Sequence, residues 1–236
     1  MNQFQFEAEV MLADAAPQDV VRERVYGDVH VTAEWPHELT APVIRLPLVV
    51  RGALEPRDAP AYVELFLHDV FLLLNLAAPG SFGGTITISG GALRVRELTF
   101  DPRVFAYAAP LATVPLTDVT RWYDGLGLGT KQLAENGVAT ALVQLLHLAR
   151  APEREDESIL RLAIAAEAVA EDVSPRLFEL RDDIARGRVP LIHPMHDDAL
   201  DPRVEDATRE WIEVADAAAG AVISALQKRI ARAERS

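Results

Sequence analysis

The chain has 236 residues, 50% of them apolar, with 36 Asp and Glu against 23 Lys and Arg and a formal net charge of −13. That length and apolar content suffice for one large core or two modest ones and exclude a disordered tail. The absence of Cys excludes disulfides, thiolate nucleophiles and Cys-ligated zinc, and the acidic balance opposes whole-surface attraction to nucleic acid or anionic lipid, leaving only a local basic patch for such contacts.

The first residues, MNQFQFEAEVML, lack the basic region and unbroken apolar core of a secretory signal, so a cytoplasmic location is expected. Phe4 to Leu12, Val43 to Val50 and Thr85 to Phe100 alternate apolar and polar residues as strands do. The last of these, TITISGGALRVRELTF, predicts a hairpin around Gly90 and Gly91. Val20 to Trp35 offers a further hairpin turning at Gly27-Asp28. A helix is predicted over 59–77, with Asp58 as N-cap and Pro79-Gly80 closing it. It is apolar nearly all round yet carries Glu64, His68 and Asp69, which suits a helix clamped inside a protein better than a bilayer span.

Composition changes after about Pro115. Thr117 is placed to cap a short helix through Trp122 and Tyr123, ended by GLGLG. Helical periodicity then marks Lys131 to Arg150, Ser158 to Ala170 and, after the Ser174-Pro175 start signal, a short helix to Gly187. Asp201-Pro202 repeats that signal before a helix to about residue 234, roughly 45 Å long at 1.5 Å per residue. These elements predict an α+β protein: residues 1–115 an antiparallel, β-rich domain with one buried helix, residues 116–236 an all-α bundle.

Two patterns in the second half carry a resemblance. LRLAIAAEAVAE places Glu167 on the second bundle helix, and LFELRDDIARGR sets Arg181 and Asp182 ahead of Arg186. The order of helices and these two stretches resemble the HEPN superfamily of helical bundles, in the form found behind a β-rich partner domain. The resemblance implies a bundle that pairs into a homodimer. In catalytic members it also implies an Arg and a His from each protomer that cleave RNA without metal. Imidazole can exchange the ribose 2′-hydroxyl proton near neutral pH, while Arg holds the phosphate. Here Arg186 stands at the His position, and a guanidinium stays protonated. A displaced match pairs Arg186 or Arg188 with His193, in a stretch that contains Pro190. The ordinary alternative is that these arginines pair with neighbouring acids and the helix C-terminus.

Other candidates weigh less. HPMHDD places His193 and His196 beside two Asp, a weak metal-ligand set for one loop. Glu64 and His68, four apart with Asp69 adjacent, could form an acid–base pair in a pocket, or a satisfied polar contact. His147 is read in the same way. GLGLGTK, 125 to 131, lacks P-loop spacing and follows a helix, so it reads as an inter-helix turn.

The expectation is therefore a non-catalytic HEPN-like dimerisation or interaction protein, with no cofactor, no membrane partner and the long last helix as the dimer seam. The resemblance suggests a bacterial conflict setting such as antiphage defence or a toxin–antitoxin pair. One alternative is a metal-independent endoribonuclease using Arg181, Arg186, Arg188 and His193, with RNA as substrate. The other is a structural or small-ligand-binding protein built on the first half.

Overall fold

The structure, a computed structural model, describes residues 1–11, 19–37, 43–91, 93–101, 104, 113–126, 137–150, 155–170, 173–188 and 202–233. The chain divides into two compact units: Met1–Pro102 with Thr113–Leu116, and Arg103–Ala112 with Thr117–Ser236.

Six strands form one antiparallel sheet in the first unit: β1 (Asn2–Met11), β2 (Glu23–Tyr26), β3 (Val29–Ala33), β4 (Val43–Gly52), β5 (Gly84–Gly90) and β6 (Leu93–Phe100), ordered β2-β3-β4-β1-β5-β6. The period-2 alternation of the sequence sorts the faces. Phe6, Ala8, Val10, Val29, Val31, Ile44, Leu46, Leu48, Val50, Ile86 and Ile88 are buried. Pairs such as Glu9 with Arg45 and Gln3 with Arg51 lie in register on the other face. Both expected hairpins form, β2–β3 at Gly27-Asp28 and β5–β6 at Gly90-Gly91. Gly90 takes φ +111 and an added Cβ would overlap the backbone of Gln5 and Phe6, so only glycine lets β5 lie beside β1 there.

Helix α1 (Ala59–Ala77) is the core of this unit, with Phe66, Leu67, Val70, Phe71, Leu73 and Leu74 fully buried. From Asp69 to Ala77 every residue is buried, all round the helix, so one flat sheet face could not cover that half. Both edge strands reach it. Tyr26 of β2 lies 6.1 Å from the Tyr62 ring, and Phe100 of β6 stacks on Phe71 at 4.7 Å. The sheet therefore curls around the helix. By length and composition α1 is long and apolar enough to cross a membrane, yet most of it is buried inside its own unit.

The helix spans the expected residues and stops before Pro79-Gly80, but its start is not capped as expected. Asp58 occupies the N-cap position, but its side chain makes no capping bond; its carboxylate lies 3.8 Å from Arg57. Asp58 has helical backbone angles, φ −93 and ψ −21, rather than the extended ones of a capping residue, and the Ala61 N–H bonds its carbonyl instead. At the other end Ala78 N–H bonds Leu74 O, and buried Asn75 ties the exit by donating to Phe71 O and Phe82 O.

The second unit contains α2 (Leu116–Gly125, from Thr117 onward), α3 (Val138–Arg150), α4 (Glu155–Val169), α5 (Pro175–Ala185) and α6 (Pro202–Ala233). Thr117, expected as a cap, lies inside α2. Described helix in the 131–150 stretch starts at Val138, and residues 131–136 lie outside the described residues. Ser174 does cap α5, its hydroxyl accepting from Arg176 N–H ahead of Pro175. Helices α3 and α4 pack side by side, α4 also meets α5 and α6, and Leu145, Ile159, Ala163, Leu177, Val222, Leu226 and Ile230 fill the space between them.

Candidate functional site

The arginine-rich helix α5 was the sequence's strongest candidate, and its guanidinium groups all have carboxylate neighbours. Arg181 donates through Nη1 to Glu167 Oε1 of α4 and through Nε to Asp182 Oδ1, each at 3.0 Å. It also lies over the Phe178 ring, 5.2 Å from its centroid. Hydrogen bonds to Asp182 and Glu167 raise its pKa further, so it remains a fixed cation. Arg186 sits at the C-cap of α5 with Nη2 3.8 Å from Asp182 Oδ2, and Arg188 Nη1 is 3.7 Å from Asp183 Oδ1. Arg176 joins α5 to α6 by a bond to Glu210 at 2.7 Å and also bonds Glu179 of its own helix at 3.1 Å.

Glu167 and Arg181, singled out separately in the sequence, are thus brought together as an ion pair between α4 and α5. His193 and His196 lie outside the described residues. Among the described residues no group of three or more His, Asp or Glu is placed to hold a metal ion. Residues 127–131 of the GLGLGTK segment also lie outside the described set. His147 is exposed in the last turn of α3.

The trio on α1 is divided between the two sheet edges. Glu64 Oε1 is 2.6 Å from Arg96 Nη1 of β6, and the His68 ring stands edge-on to Phe100, also of β6. Asp69 instead faces β2, where its Oδ2 accepts from Arg24 Nε at 3.1 Å and from the Tyr26 hydroxyl at 2.9 Å. Burial foremost, and then the Asp69 charge, push the Tyr26 phenol far above its ordinary pKa, which keeps it a neutral donor.

This Arg24–Tyr26–Asp69 cluster was missed by sequence reasoning, though a signal was present. In β2 the polar Arg24 and Tyr26 point inward while Val25 is 52% exposed. That inverted alternation fits a strand that must satisfy a buried carboxylate.

A further groove lies between the end of α4 and the last third of α6. It holds about 480 Å³ and is lined by Val169, Ala170, Ala221, Ser224, Lys228 and Arg229, among others. Arg229 Nη2 is 3.5 Å from Val169 O, so one guanidinium leans on the carbonyl end of α4.

Taken together, these features define an α+β protein whose helical unit carries a salt-bridged arginine helix. No family model, curated protein or solved structure matches the chain.

Proposed function

We propose that the helical unit is a non-catalytic, HEPN-like interaction module, whose output is pairing with a second copy or with another protein. The observation that carries this reading is the state of the arginine helix. Where RNA cleavage would need an imidazole to move a proton, Arg186 stands beside Asp182. Arg181, which would hold a phosphate, is engaged by Glu167 and Asp182, and releasing it would cost both bonds. Two of its ion pairs stitch the bundle together, linking α4 to α5 through Glu167–Arg181 and α5 to α6 through Arg176–Glu210. The resemblance adds a setting, a bacterial defence or toxin–antitoxin system.

Incubating the protein with structured RNA in EDTA, beside a His193→Ala variant, tests the reading. The expected outcome is no cleavage by either protein. Cleavage that disappears in the variant would overturn the proposal in favour of a metal-independent endoribonuclease.

A further inference from the structure

The groove between the end of α4 and the last third of α6 is opposite in sign to the chain as a whole. On α6 it is lined by Ala221, Ser224, Ala225, Lys228, Arg229 and Arg232, positions whose three- and four-residue spacing falls on one face of a helix. Val169 and Ala170 form the other wall. From Ala217 to Ala233 the helix carries three cations and no carboxylate, and all three cations line the groove, on a chain whose formal charge is −13. The acid on α6 nearest before that stretch is Asp216, roughly 18 Å from Lys228 along the helix. That is about two screening lengths at physiological salt, so the local cations set the potential in the groove.

Ion pairing and the helix dipole leave part of this cluster unexplained. Lys228 is exposed and has no carboxylate partner among the described residues, unlike the arginines of α5. The negative end of a helix favours cations within its last turn, which here contains Arg232 but neither Lys228 nor Arg229. Arg229 Nη2 lies 3.5 Å from Val169 O, a contact that holds its guanidinium against the wall. Arg229 and Arg232 make other contacts as well, and each guanidinium has several N–H donors to share with an added anion.

We infer that this groove binds a small organic oxyanion, a phosphate ester or a polycarboxylate, a role beyond pairing and independent of it. Lys228, Arg229 and Arg232 surround the charged head, the two arginines offering paired N–H groups that match the oxygens of a phosphate or carboxylate. The Ser224 hydroxyl adds a neutral donor. The uncharged body rests on Val169, Ala170, Ala221 and Ala225, small side chains that leave the groove its volume of about 480 Å³. Small-molecule sites span about 300–1,000 Å³.

Isothermal titration calorimetry of the full chain with pyrophosphate and with citrate, at about 0.15 M salt, tests the site. At least one is expected to bind with a Kd on the order of 0.1 mM, and whichever binds more tightly fixes the head as phosphate or carboxylate. Lys228→Ala and Arg232→Ala should each weaken that binding about tenfold. Arg209→Ala removes the same charge from the same helix roughly 28 Å away and should leave it unchanged. Ala221→Leu combined with Ala225→Leu narrows the groove at constant charge and should also weaken binding, with an unchanged circular dichroism spectrum to show that the variant folds. No binding of either probe overturns the inference. So does binding that falls equally in Arg209→Ala, the mark of general charge attraction, or that ignores the narrowed groove, the mark of an adventitious ion only. Glu171 and Asp172 follow Ala170 in the chain. Binding that appears only in Glu171→Gln, Asp172→Asn protein would show the cations serving the chain's own acids, and overturns it too.

Discussion

Asp69 lies in the middle of an apolar helix and is only 7% exposed, so its carboxylate survives there by being bonded. Arg24 and Tyr26 supply bonds to it, and removing the acid would take this carboxylate from a guanidinium whose side chain is 10% exposed. Asp69→Ala is expected to cost about 3–5 kcal/mol in urea unfolding, whereas Tyr26→Phe, which removes one donor to a charged acceptor, should cost about 1.5–3 kcal/mol. Tyr26 also sets a pH response. Its folded pKa is raised by burial and by Asp69 above the ordinary 10.0, so the fold prefers the protonated phenol. That contribution is complete below 10.0 and declines as pH rises above it, by about 1.4 kcal/mol per pH unit for one proton. Urea midpoints should therefore fall more steeply above pH 10 in the native protein than in Tyr26→Phe. Equal slopes would mean that the phenol is not buried against the carboxylate. In sequence Asp69 reads with Glu64 and His68, as an acid–base pair or a satisfied polar contact. Its partners on β2 were not legible, because Arg24 lies 45 residues away and its contact follows from the curl of the sheet.

The regular elements were mostly legible because each rests on local periodicity. Two glycines marked the β5–β6 turn and Ser174-Pro175 marked the start of α5, and both signals act within a few residues. The failures were also local, at Asp58 and Thr117, where a cap-forming residue type is present without the capping geometry. The close seat of α3 against α4 was not legible at all. Gly137 precedes α3 with φ +68, its carbonyl accepts from Ala141 N–H, and a Cβ there would overlap the Ala168 carbonyl at the end of α4. In sequence it is one of 13 glycines, with nothing to mark it as a contact. Gly137→Ala combines a left-handed backbone with a backbone clash. It should destabilise the helical unit by more than about 1 kcal/mol, seen as a lowered thermal midpoint by circular dichroism. Gly125→Ala, where an added Cβ meets nothing within 4 Å, is the control and should leave the midpoint nearly unchanged.

At the scale of the whole chain, the predicted division into 1–115 and 116–236 came from a change of composition, while the structure divides through contacts. The first unit takes Thr113–Leu116 along with Met1–Pro102, and a physical reason lies at the end of α1. The last four carbonyls of a helix have no partner within it, and Ala77 O is satisfied by Val114 N–H at 2.8 Å. A segment of chain beyond the sheet thus completes the end of α1, something composition cannot register. The prediction follows from that bond. A fragment of residues 1–116 should fold by itself, since its core is drawn from its own strands and α1. A fragment ending at residue 102 should be less stable by about 1 kcal/mol or more, as it leaves a buried carbonyl without its donor. Comparing urea midpoints of the two fragments checks this, and equal midpoints would show that Val114 contributes nothing to holding α1 in place.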